Sequence, residues 1–206
     1  FKLSSDTRLR ELIEIVSLAK LYNTRDFNRA NIIKYLRQIE RNSKFQEHRN
    51  IASNYIEKLQ YLIWGSQPPL FSLKNTEGQE VNNAQLQGDF VLLAFMKGDS
   101  KLCISHITYL DEIRQKFNNK LKIVSLVEGN TNLISNYMYE RDYEWHVLEI
   151  DDILLIEDFG IKVYPTYMLL NPDGSMASSA TPMPDENILP YLNPRMKKWN
   201  KINNPN

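Results

Sequence analysis

The first 63 residues contain neither proline nor glycine, and the run ends at Gly65-Ser66-Gln67-Pro68-Pro69. The two residue types that interrupt regular structure most strongly are absent from one long segment and appear together at its close. Within the segment apolar residues return at helical spacing. One set is Leu9, Leu12, Ile13 and Val16, the next Ile32, Ile33, Leu36 and Ile39, the third Ile51, Ala52, Tyr55, Leu59 and Leu62. A period near 3.6 predicts three amphipathic helices, with Asn42 and Ser43 supplying turn and cap chemistry between the second and third. The stripes read as core packing. About 60 residues of helix bury little surface alone, so residues 1–64 are expected to dock on the rest of the chain or to close a larger helical region. The short, stiff joint at 65–69 favours docking over free movement on a linker.

Past the paired prolines the period changes. Strand-like runs over 90–95, 121–127 and 167–170 alternate with helical stretches over 104–117, 133–141 and 153–159. That alternation predicts an α/β sheet with crossover connections. Thr76-Glu77-Gly78-Gln79 and Asn171-Pro172-Asp173-Gly174 carry the chemistry of tight hairpin turns. The last dozen residues, with Lys197, Lys198, Lys201 and Pro205, read as a polar, fraying tail. The expected division is therefore a helical region over 1–64, an α/β domain over 65–194 and a tail over 195–206.

Charge narrows the partners. Lysine plus arginine equals aspartate plus glutamate at 25 each, which removes the bulk attraction that nucleic-acid binding relies on. The longest apolar run, residues 90–96, is far short of the roughly 20 residues a membrane helix needs. His48, His106 and His146 are scattered without ligand spacing, so no metal site is expected. No glycine-rich phosphate loop or Ser-His-Asp pattern stands out either, and no cofactor is expected. The chain opens at Phe1 without methionine or an apolar leader. It reads as a processed or truncated product, with room for a lost signal or lipid-attachment segment.

Several pieces in order carry a family resemblance. Pro69-Leu70-Phe71-Ser72-Leu73 with Gly78-Gln79-Glu80-Val81, the run Leu86-Gln87-Gly88-Asp89-Phe90-Val91-Leu92-Leu93-Ala94-Phe95, and Val163-Tyr164-Pro165-Thr166-Tyr167-Met168-Leu169-Leu170 ahead of Asn171-Pro172-Asp173-Gly174 are all present. Over about residues 66–192 the chain resembles thioredoxin-like proteins of the TlpA/ResA type, cell-envelope thiol-disulfide oxidoreductases. The resemblance implies a thioredoxin-like α/β fold, a central mixed sheet flanked by helices, behind a small α-helical region. It also implies a cell-envelope or periplasmic location, a cis bond between Tyr164 and Pro165, and a groove at Tyr164, Pro165 and Thr166 that faces a peptide or protein partner. In such proteins the central strand leads to Trp-Cys-x-x-Cys at a helix N-terminus. Here the corresponding residues are Asp99-Ser100-Lys101-Leu102-Cys103.

Aligned this way, Ser100 stands where the attacking thiolate belongs. A helix N-terminus favours a thiolate through its free N–H groups and dipole, but a serine hydroxyl there stays protonated near neutrality. Cys103 is the one cysteine in the chain, and a single thiol cannot resolve its own mixed disulfide. Asp99 adds a carboxylate that disfavours a thiolate beside it. Two functions remain in view: a non-redox binding or scaffold module, and an enzyme using the single thiol Cys103 through mixed disulfides or peroxide reduction. Ser100-Lys101-Leu102-Cys103 also resembles the Thr-x-x-Cys of peroxiredoxins, although Met96 occupies the place of that motif's earlier proline. His106, three residues after Cys103, shares its helix face, so an imidazolium–thiolate pair is the functional reading and an exposed helical histidine the plainer one. For Cys103 the plainer reading is a half-buried relic on the first helical turn.

Overall fold

The computed structural model describes residues 6–21, 29–60, 64–117, 120–179, 181–186 and 188–203. Leu62, assigned to the third apolar stripe, and Pro205, assigned to the tail, lie outside them. The chain divides into two compact units, residues 1–61 and 62–206.

The first unit holds α1 (Thr7–Leu21), α2 (Arg29–Asn42) and α3 (Gln46–Gln60). Its core is Ile15, Ile32, Ile33, Leu36, Ile56 and Leu59. The expected faces hold for α2. They do not hold for α1, where Leu9 and Ile13 are exposed while Ile15 and Ala19 are buried. Leucine, isoleucine, valine and alanine lie on most sides of α1, so spacing alone does not select the face that packs. Three polar groups knit the unit together: the Glu11 carboxylate accepts from Ser43 Oγ at 2.5 Å and lies 2.6 Å from His48 Nδ1.

The second unit opens with the hairpin of β1 (Ser72–Lys74) and β2 (Glu80–Asn82), closed at Gly78, whose φ of +79° favours glycine. The main sheet comprises β3 (Phe90–Lys97), β4 (Leu121–Glu128), β5 (His146–Ile150), β6 (Thr166–Leu170) and β7 (Met176–Ser178), in the order β5-β4-β3-β6-β7. β3, β4 and β5 are parallel; β6 and β7 run antiparallel to their neighbours. β3 lies at the centre, and its residues 90–96 are all buried because both faces are covered.

Alternate β3 residues feed two cores. Phe90, Leu92, Ala94 and Met96 pack with side chains from α4 (Lys101–Lys116), α5 (Asn132–Tyr139) and α7 (Leu189–Asn203). Val91, Leu93 and Phe95 pack with the β1–β2 hairpin and with Leu155 of α6 (Ile153–Asp158). This is the α/β architecture that the alternation of strand and helix predicts, with the mixed central sheet that the family resemblance implies.

Both ends of the second unit are held by specific contacts. Gly65 N–H donates to the Met176 carbonyl, and Met176 N–H donates to that of Ser66, so the segment before the paired prolines is held against β7. The stretch from 195 onward is not a fraying tail: α7 continues to Asn203 with Pro194 inside it. Leu192 and Met196 are buried and Trp199 packs beside them, an i, i+4, i+7 stripe that anchors the helix.

Candidate functional site

β3 ends at Lys97, and three residues later the chain enters α4. The turn between them is tight. Gly98 N–H donates to the Glu128 carbonyl, and a Cβ on Gly98 would collide with the Asn130 carbonyl. Ser100 is the N-cap of α4, extended at φ −81°, ψ 115°, and its hydroxyl accepts from Cys103 N–H at 3.4 Å. That is what a serine does at a helix start, satisfying one of the orphan donors of the first turn. Ser100 is half-buried.

Cys103 sits one turn in and is 0% exposed, a deeper position than the half-buried one expected from sequence. Its sulfur accepts from Lys97 N–H at 3.4 Å, and the side chain belongs to the core that also holds Met96, Ile107 and Tyr167.

The strand register brings Pro165 to the same end of the sheet. Phe95 pairs with Thr166, so the residue before Thr166 is level with Met96, beside the turn that carries Ser100. The Tyr164–Pro165 bond is cis, and Pro165 is buried. Thr166 spends its hydroxyl on the loop, donating to the Val163 carbonyl at 2.7 Å. Tyr164 packs against both cores. Its hydroxyl is pushed well above the ordinary tyrosine range, chiefly by burial, then by the Glu128 carboxylate and Cys103. Leu102 and Val163, next in sequence to Cys103 and Tyr164, are exposed.

His106 meets neither expectation. It is 1% exposed, not a surface histidine. No hydrogen bond or ion pair joins it to Cys103 among the described residues. Its Nδ1 lies 2.9 Å from the Tyr167 hydroxyl, and its Nε2 is 3.8 Å from an Asp185 carboxylate oxygen. Asp185 belongs to a short 3-10 turn, Pro184–Glu186. Burial holds the His106 pKa below the ordinary histidine range, against the pull of Asp185 and Glu186. The Tyr167 hydroxyl is pushed up by burial, with Cys103 and Asp185 adding to it. Nothing in the sequence motifs singles out Tyr167 or Asp185 as neighbours of this histidine. One signal does point inward: Cys103, His106, Ile107 and Leu110 follow helical spacing on one face. Among the described residues no cluster of three or more histidine, cysteine, aspartate or glutamate side chains is arranged to hold a metal.

Similarity to known proteins traces the same outline. The AhpC/TSA family profile matches residues 64–179, more than half of the chain. The chain belongs to the AhpC/TSA family. Within it, the chain is 24% identical over 128 residues to the thiol-disulfide oxidoreductase ResA of Bacillus cereus, covering 61% of this chain and 74% of that protein. To ResA of Bacillus subtilis it is 25% identical over 132 residues, covering 63% and 74%. Among solved structures, the thioredoxin domain of a Bacteroides vulgatus thiol-disulfide oxidoreductase superposes with a TM-score of 0.51 at 20% identity, covering 57% of this chain and 87% of that one. These matches establish a thioredoxin-like fold with ResA-type relatives.

Proposed function

We propose that this chain is a thioredoxin-like protein of the cell envelope that acts as a non-redox binding or scaffold module, holding a peptide or protein segment in the groove beside Ser100, Tyr164, Pro165 and Thr166. The observation that carries the reading is the state of the single thiol: Cys103 is wholly buried behind a helix N-cap occupied by Ser100. A dithiol cycle needs an accessible attacking thiolate and a second thiol to resolve the mixed disulfide. Ser100 takes the accessible place, and no second thiol exists in the chain. Leu102 and Val163, next in sequence to Cys103 and Tyr164, supply exposed apolar surface of the kind a bound segment covers. The envelope location rests on the resemblance to the ResA type.

The alternative is thiol-disulfide or peroxide chemistry on Cys103 alone, which draws on the named activity of the ResA relatives. It requires the sulfur to become accessible. The readings part in an insulin-reduction assay with dithiothreitol. The natural chain should stay at background, and Ser100→Cys should give weak turnover and form an internal disulfide with Cys103. Adding Asp99→Trp should raise that turnover by removing a carboxylate that disfavours the new thiolate. Robust turnover by the natural chain would overturn the non-redox reading, and a Ser100→Cys variant unable to close the disulfide would overturn the placement of Ser100.

A further inference from the structure

A second feature lies at the other end of the sheet and owes nothing to the thiol. β5 pairs with β4 only from Val124 to Glu128, whereas β3 pairs with β4 from Leu121 onward. Residues 121–123 thus have a partner strand on one side alone. At the outer edge of β5 a single bridge joins Leu148 to Asn75, and among the described residues no strand or bridge pairs with 121–123 on that side. A cleft of about 930 Å³ opens there. An unpaired strand edge presents backbone N–H and C=O groups in a row and is completed by another strand.

The side chains around the cleft say what such a strand should carry. Arg114 and Lys122 line it, but their charges are met by Asp111 at 2.7 Å and Asp89 at 2.9 Å. Glu77 and Glu144 also line it and are exposed, with no ion pair among the described residues. The uncompensated charge of the cleft is therefore acidic. Tyr139, 86% exposed, and Trp145, whose indole N–H is fixed on Ser125 Oγ at 2.9 Å, give it aromatic surface. We infer that this cleft binds an extended peptide segment that adds as a short strand beside residues 121–123, with a lysine or arginine facing Glu77 and Glu144 and an apolar neighbour against Tyr139 and Trp145.

The test uses the full chain, isotope-labelled on its amide nitrogens, titrated with an end-capped peptide of about six residues alternating threonine and valine around one lysine. Expected are shifts at the amides of residues 121–123 and at the Trp145 indole, with affinity about fivefold higher than for the same peptide carrying glutamate. Two N-methylated versions, one for each alternating set of amides, separate strand addition from side-chain contact: one of them should lose binding. Glu77→Gln with Glu144→Gln should erase the preference for lysine while leaving the rest of the spectrum unchanged. Equal binding of both N-methylated peptides would overturn the proposal, as would shifts confined to other surfaces. Shifts at 121–123 that appear on concentrating the protein alone would overturn it in favour of a second copy as the occupant.

Discussion

His48 in the helical unit and His106 in the α/β unit are equally hidden, at 2% and 1% exposed, yet their neighbours differ. His48 faces a carboxylate, Glu11, at 2.6 Å, and the same oxygen takes the Ser43 hydroxyl. His106 has a neutral hydroxyl as its hydrogen-bond partner and a carboxylate only at 3.8 Å. In the first case a carboxylate of α1 ties together the turn ahead of α3 and α3 itself. In the second the protein sets a neutral ring into an apolar layer beside Cys103, and burial outweighs the acids around it. A buried histidine is thus no signature of chemistry by itself: the same residue serves as a knot in one unit and as a neutral filler with one hydrogen bond in the other.

The difference can be broken at the knot first. Glu11→Gln removes the charge from an oxygen that accepts twice, and the helical unit should lose about 2 kcal/mol, read as a lower denaturation midpoint in far-ultraviolet circular dichroism. The next effect is the dependence on acid, which has the same sign in the two units but falls in different pH ranges. Burial pushes the folded Glu11 pKa up, but the hydrogen bonds from Ser43 and His48 together with the charge interaction with His48 leave it lowered. Its contribution is present above the unfolded carboxyl value of about 4.3 and is lost only as pH falls through the folded value. The folded His106 pKa is lowered as well, so its neutral form favours folding above about pH 6.5. That contribution is lost as pH falls from there through the folded value, at no more than about 1.4 kcal/mol per pH unit. All three tryptophans, Trp64, Trp145 and Trp199, lie in the α/β unit, so their fluorescence isolates it. Denaturation followed this way should weaken between pH 6.5 and the folded value, and His106→Gln should flatten that slope. A slope unchanged in the variant would show that His106 is not the titrating group. The smallest effect belongs to the site itself: Ser100→Ala removes a cap and should cost about 1 kcal/mol, measured by the same fluorescence.

Much of this is legible in the chain. The alternation of strand and helix past Pro69 gives the sheet because β3 and β4 are long apolar runs that have no other way to be covered. Ser100 and Cys103 fall at the cap and the first turn, as their spacing before a helical stretch implies. What stays hidden depends on contacts between distant segments. His106 is inward only because Tyr167 and the turn at Asp185, 61 residues and more away, close over it. The face of α1 is chosen by α2 and α3, since its own sequence is apolar on most sides. α7 looks polar because six of its last nine positions are polar or charged, while the residues that hold it, Leu192, Met196 and Trp199, are spaced too widely to read as a run.

The most direct measurement is the rate at which a small alkylating agent labels Cys103 in the native chain, compared with the same chain unfolded in denaturant, followed by intact mass. A sulfur at 0% exposure, packed behind Ser100, should react only through opening of the fold, at least about a hundredfold more slowly than in the unfolded chain. Native labelling as fast as that of the unfolded chain would place a reactive thiol at the surface and contradict the reading of this protein as a non-redox module.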